Sequence, residues 1–367
     1  HGFQVLQTGY PNISDYLDLK RLELKRFPAG VAVRYNKKFH IVADPRHHPT
    51  HMLSTVASPI GSLGDRVKLL KLVTALGRQP VEKIFEEEEE PTAEFLKRWG
   101  FSERFILSFF TPFFAGACLD LSMNGSSRVL KYVTRLFATG DAALPTGGMG
   151  TIPLQIAAGL PEKSIRYNQQ VTKVQQGRVT LADGTSVRAG HIIVAVPQPT
   201  YAQLLHSDSP VRSVGEACVY FSSHWRPPIK DPFLVLNGEG AGPVNNIAFP
   251  SLVAPSYAPP GKTLIAAVVL GEHYLRRNDL EDLVRNQCAG WFGAEVERWE
   301  HLKTYRIDHA LTDQSPPTLN PYKRPASYFP GITVCGEHTS LPGLQWAIMS
   351  GTMAGNSVAE ETERSAS

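Results

Sequence analysis

The chain has 367 residues, 42% hydrophobic and 19% charged, with 37 basic and 34 acidic side chains giving a net charge of +3. That length allows two domains and a large core, and the composition is that of an ordinary globular protein. So mild a charge argues against a nucleic-acid partner, and no apolar run reaches the roughly 20 residues of a transmembrane helix, which leaves only peripheral membrane contact open.

The chain opens at His1 inside a strand-like run, HGFQVL, with no start signal, so the expectation is an N-terminally incomplete chain. A short helical segment begins at Ser14. GVAVRY and KFHIVAD follow as a hairpin joined by Asn36-Lys37-Lys38, and then a loop marked by Pro45 and Pro49. His47, His48 and His51 fall in that loop. With Pro49 among them they lack the helix their spacing would need, so no metal site is expected.

Residues 61–140 read as mostly helical, with Leu63, Val67, Leu70, Leu72 and Val73 at helical spacing. Glu86 to Glu90 is read as a solvated acidic face. Thr92 is the expected N-cap of a helix stopped by Gly100. Ser102 starts the next helix, which carries Phe105, Phe109, Phe110, Phe113 and Phe114, and which Pro112 should kink or end. Those rings are expected to be core, with an apolar substrate wall as the sharper alternative.

Gly140 to Leu160 is a glycine-rich loop and a helix. No apolar strand is seen to feed it, and it matches no phosphate-binding loop, so it is expected to be a backbone-hugging turn. Residues 164–197 give a strand region through Val171, a hairpin turned by Asp183-Gly184, and an apolar buried strand, HIIVAVP. Residues 206–310 alternate strands and loops around one helix, an α+β pattern with a largely antiparallel sheet. Cys118, Cys218, Cys288 and Cys335 stand far apart. They read as reduced thiols in a reducing compartment, cytoplasmic or plastid stroma, with no zinc site or disulfide framework.

The last stretch, Ile332 to Glu361, is a short strand ending in Gly336-Glu337, a loop with Pro342 and Gly343, and a helix. Ala347, Gly351 and Gly355 lie four apart on one helical face, suited to a closely packed backbone or to a flat ligand. Glu337 falls just past a strand's carboxyl end, where open α/β sheets bind ligands.

Taken together, GFQVL, LPTGGMGTIPLQIAAGLP, NQQVTKVQQGRVTLADGTSVRAGHIIVAVP, VCGEHT and AIMSGTMAGNSVAEE resemble the flavin-containing amine oxidoreductase and phytoene desaturase superfamily, over nearly the whole chain. The nearest resemblance is to its FAD-dependent, phytoene-dehydrogenase-like members. This implies α/β and α+β parts: a two-domain FAD-binding, Rossmann-like fold of the glutathione-reductase type, lacking its first βαβ unit, with an inserted mixed-sheet and helical substrate domain. The FAD-binding domain would comprise residues 1–8, 141–205 and 322–367. The substrate domain would comprise 9–140 and 206–321, helical over about 61–140 and a mixed sheet over about 206–310.

The resemblance further implies that Gly2 approaches the flavin ring, that the Val171 backbone meets the adenine, and that Gly336 and Glu337 hold the ribityl or pyrophosphate region. The helix start at Leu344, Gln345, Trp346 and Ala347 would set backbone N–H groups against the flavin. Three departures qualify it. The family's GxGxxG segment would precede the first residue, so this chain alone is expected to hold FAD weakly or not at all. The flavin-facing lysine of amine-oxidising members is replaced by Glu216 or Ala217, and their aromatic position by Gly343, which disfavours amine oxidation. Trp346 stands where the family usually has glycine.

The implied function is an FAD-dependent oxidoreductase that oxidises, desaturates or isomerises a hydrophobic small molecule through flavin N5. The alternative is a catalytically silent or truncated member serving as a binding or scaffold protein. No catalytic residue follows from the sequence. His338, beside the cofactor motif, reads more readily as a backbone cap than as a proton carrier.

Overall fold

The computed structural model describes all residues except 1, 44–54, 56, 208–211, 319, 324–326 and 367. The loop holding His47, His48 and His51 therefore lies outside the described residues. The chain forms two compact units, His1–Ile156 with Val214–Thr318, and Ala157–Ser213 with Leu319–Ser367.

The larger unit is built on a seven-stranded mixed sheet. Its spatial order is Glu300–Thr312, Ser213–Ser223, Thr263–Val269, Val244–Ala248, Leu234–Asn237, Gly30–Tyr35, Lys38–Ala43. From Ser213–Ser223 onward neighbours pair antiparallel, except that Leu234–Asn237 runs parallel to Gly30–Tyr35. The period of two sorts the side chains. Ala217, Val219 and Phe221 enter one core with Val235, Ile247 and Ile265, while Cys218 faces the other way with Ala115, Ala266 and Val268. The expected hairpin is present, with a tighter turn: Asn36 and Lys37 both take positive φ, and Lys38 is already paired with Tyr35. The helix expected from Ser14 is only a single 3-10 turn, Ile13–Asp15.

The helical stretch closes over the sheet through Phe95, Phe101, Phe105, Phe110 and Phe114, which pack with Val31, Val33 and Leu236. The phenylalanines are thus core. Pro112 does not end its helix. The turn before it, Ile106–Phe110, widens to a π-helix, and the α-helix resumes over Thr111–Cys118. A widened turn admits a residue without an N–H while the side chains stay stacked inward.

Three local expectations are corrected here. The helix Leu63–Arg78 buries Asp65, Leu72 and Leu76, and leaves Leu63, Val67 and Leu70 exposed. Its rotation is set by Asp65, whose carboxylate accepts from the backbone and hydroxyl of both Ser62 and Ser102 at 2.7–2.8 Å and so caps two helices. Thr92 is the first helical residue rather than the N-cap, which is Pro91, because the Thr92 hydroxyl donates to the Gly125 carbonyl at 2.8 Å. The acidic run is not simply solvated: Glu87 pairs with the buried Lys131 at 2.6 Å, Glu90 with Arg98, and Glu89 accepts from Thr318.

The glycine-rich stretch is fed by a short strand, contrary to expectation. Ala142–Leu144 lies between Leu6–Gln7 and Lys25–Arg26 in a three-stranded sheet. Partners more than a hundred residues away stabilise it, which its own three residues do not reveal. The turn then passes through Gly148 at φ 91° into helix Thr151–Ala157.

The smaller unit holds two three-stranded sheets. In one, Ile332–Val334 pairs parallel with Ile192–Val194 and antiparallel with Ser327–Phe329. In the other, Val171–Gln175, Arg178–Leu181 and Ser186–Arg188 form a meander turned at Asp183-Gly184, as read from the sequence. Val174, Ile192, Val194, Leu204, Ile332 and Val334 make its core. Ile193, expected to be buried, is exposed, because its strand is at the sheet edge and is covered on one face only.

Candidate functional site

The densest set of sequence-flagged residues lies in the smaller unit, at the carboxyl ends of its two parallel strands. Ile332–Val334 stops because Gly336 takes φ 141°, a conformation a side chain rarely adopts. A Cβ there would also press on the His338 ring at 2.9 Å. The Gly336 N–H donates to Ser350 Oγ at 2.9 Å, and its carbonyl accepts from the Thr339 N–H and hydroxyl at 3.0 and 2.8 Å. These bonds fix a 3-10 turn, Glu337–Thr339, that holds Glu337 half-buried just beyond the strand. His338 stacks on Tyr201 with ring centroids 5.5 Å apart, so its ring serves packing.

Behind the turn runs the long helix Leu344–Ala366. In its first turn Gln345 and Trp346 are buried and Ala347 is exposed. The Trp346 indole is fully enclosed, edge-on to Tyr322 at 5.4 Å. The Ala347 N–H donates within the helix to the Gly343 carbonyl at 3.0 Å. Ala347 and Gly355 are exposed, and a Cβ built on Gly351 or Gly355 would meet no described atom within 4 Å. The small residues therefore do not serve close packing of one element on another. Gly351 and Gly355 present helix backbone with no described side chain against it.

Two positioning residues escaped the sequence reading. Ser350 anchors Gly336, and His191 bonds Thr333 at 2.8 Å and approaches Glu361 at 3.4 Å, tying both parallel strands to the helix. A serine one helical turn past Ala347 was the available signal for the first. Nothing local points to the second. Val171 opens its strand opposite Leu181, half-buried, with a bulge immediately after it.

Gly2 belongs to the larger unit. Tyr220 donates its hydroxyl to the Gly2 carbonyl at 3.1 Å, and a Cβ on Gly2 would overlap Glu216 Oε1. Glu216, Cys218 and Tyr220 alternate along Ser213–Ser223 and so share one sheet face, with Tyr305 edge-on to Tyr220 at 6.0 Å. Glu216 is only 8% exposed, and burial pushes its carboxyl up to about 7. Burial likewise raises Cys218 to about 12 and raises Tyr220, so both stay protonated at neutral pH.

Among the described residues no group of three metal-ligating side chains occurs, and no helix is long and apolar enough to cross a membrane. All four cysteines are unbridged.

Residues 1–359 match the family model described as Flavin containing amine oxidoreductase. No curated protein matches the chain. Among solved structures, a putative protoporphyrinogen oxidase from Exiguobacterium sp. 255-15 is 15% identical over 98% of this chain and 87% of its own, with a TM-score of 0.69. An oxidoreductase from Methanosarcina mazei is 16% identical over 91% and 83%, with a TM-score of 0.65. Cyclohexylamine oxidase from Brevibacterium oxydans IH-35A is 14% identical over 99% and 88%, with a TM-score of 0.62. At such identities the likeness is one of fold.

Proposed function

This chain belongs to the flavin containing amine oxidoreductase family, and on that premise we propose that it is an FAD-dependent oxidoreductase of a hydrophobic small molecule. The observation that carries the reading is the turn at Gly336-Glu337, set at the carboxyl ends of parallel strands beside an open glycine face. That is where α/β sheets take their ligands, and the arrangement fits a flat cofactor with a polar tail.

In this reading Glu337 accepts hydroxyl hydrogen bonds from the cofactor's ribityl region, and Gly336 keeps the backbone close enough for it to do so. The first turn at Leu344, Gln345, Trp346 and Ala347 borders the ring, with Trp346 acting from inside as packing. Val171 borders the adenine. Bound FAD would supply a two-electron acceptor. The protein would supply position, exclusion of water and electrostatics. The apolar substrate class rests on the resemblance to the desaturase branch, since the phenylalanines of residues 105–114 close on one another as core. Desaturation or isomerisation is favoured over amine oxidation because Glu216 and Ala217, and no lysine, occupy the strand Ser213–Ser223.

The test is the visible spectrum of the purified protein, followed by denaturation and measurement of released FAD. A protein that turns yellow when FAD is added, and that releases FAD on denaturation, is expected, even where the cofactor is lost during purification. A colourless protein that takes up no added FAD would sink the reading and favour a catalytically silent binding protein instead.

A further inference from the structure

The outward face of helix Leu63–Arg78 stands outside the function just proposed. Leu63, Val67 and Leu70 are 63%, 53% and 50% exposed, whereas a surface helix ordinarily turns such a row to the core. One exposed leucine is ordinary, but three aliphatic side chains at spacings of four and three form a stripe. The helix cannot roll that stripe inward. Asp65, Leu72 and Leu76 occupy the opposite face, and Ser62 and Ser102 hold the Asp65 carboxylate there.

The same face carries positive charge. Lys71 comes four residues after Val67, Arg78 comes seven after Lys71, and both are exposed. Among the described residues neither has an ion-pair partner, while Arg66 and Lys68 are spent on the carbonyls of Ser58 and Gly100. The only acid in the helix is Asp65, and it is buried. A second copy of this chain, meeting the stripe with the same stripe, would set cation against cation. The stripe also lacks the aromatic anchor usual at the centre of a protein–protein interface. An anionic bilayer offers what the face lacks, phosphate oxygens at headgroup level and hydrocarbon just beneath.

We propose that helix Leu63–Arg78 docks on the surface of an anionic lipid bilayer, with Leu63, Val67 and Leu70 in the acyl boundary and Lys71 and Arg78 paired with lipid phosphates. The stems of Lys71 and Arg78 run beside the apolar stripe while their charges stay at headgroup level. The helix has 16 residues. At that length it extends about 24 Å, enough to lie in the interface plane. Three aliphatic side chains give shallow insertion, so the charges carry much of the affinity and docking is reversible and salt-dependent. The inference goes beyond the cofactor reading and needs no FAD. A protein held there would meet apolar molecules dissolved in the bilayer, the substrate class proposed above.

The experiment is co-sedimentation of the full chain, without FAD, with vesicles of phosphatidylcholine alone or with about 30% phosphatidylglycerol, at about 0.1 M and about 0.5 M salt. Expected is binding to the anionic vesicles at low salt, weakened at least about tenfold on neutral vesicles or at high salt. Lys71→Gln and Arg78→Gln should each weaken it about fivefold. Leu63→Ser combined with Leu70→Ser should weaken it by about tenfold or more at an unchanged thermal midpoint. The wild type gives a readout of its own: acylation of the Lys71 amine, followed by mass spectrometry, should fall when anionic vesicles are bound. Equal acylation with and without bound vesicles overturns the proposal even if the variants fail to fold. No binding to anionic vesicles also overturns it and leaves the face to an acidic protein partner. Self-association that the same substitutions abolish overturns it in favour of a second copy. None of these outcomes depends on FAD, so failure here is separate from failure of the cofactor reading.

Discussion

Asp65 is the residue whose charge contributes most visibly to folding. Burial alone would raise its carboxyl, but hydrogen bonds from the backbone and hydroxyls of Ser62 and Ser102 outweigh that and hold it at about 2. The folded value lies below the ordinary value near 3.8, so the stabilisation is fully present above that pH. It is lost as pH falls from there toward 2. Asp65→Ala should cost about 3 kcal/mol in urea unfolding at neutral pH, because charged acceptors of several donors are among the stronger hydrogen bonds. The variant should also lose less stability than the wild type on acidification. At the candidate site, Glu337→Ala should lower the FAD that survives gel filtration by about tenfold or more, the effect of losing a charge-assisted bond of about 1.5–3 kcal/mol. Unchanged flavin content would move that contact elsewhere.

At the scale of elements, the Leu344–Ala366 helix offers a separation of folding from binding. Gly351→Ala meets no neighbour and should raise the apo protein's stability by up to about 1 kcal/mol, the ordinary gain for replacing a helical glycine. Gly351→Leu should fold equally well but hold FAD less tightly. Equal retention in both would mean that the open face has another use. The same helix shows what the sequence made legible. Its glycine spacing, the stop at Gly336 and the Asp183-Gly184 hairpin follow from backbone rules that act within a few residues. What could not be read locally was decided at a distance. Ala142–Leu144 becomes a strand only through partners at Leu6 and Lys25, and the Leu63–Arg78 helix turns its apolar row outward because Asp65 reaches Ser102. The site was legible where it is a motif, at Gly336-Glu337. It was not legible at His191, whose role depends on Thr333 and Glu361.

For the whole molecule, binding a cofactor only in the folded state must shift the unfolding equilibrium. FAD at about 100 times its dissociation constant should add about 2.7 kcal/mol, seen as a higher thermal midpoint that rises with FAD concentration. Glu337→Ala should flatten that dependence. The parallel pair in the seven-stranded sheet has a consequence of a different kind. Val31 and Leu234 face each other from roughly 200 residues apart. On a ribosome adding about 5–20 residues per second, the Gly30–Tyr35 strand waits about 10–40 seconds for its neighbour to be made. During that interval its hairpin shows an unpaired edge bearing Val31 and Val33. Long-range pairing is slow to nucleate and such edges invite association, so the yield of folded protein should depend on what shields this strand during synthesis.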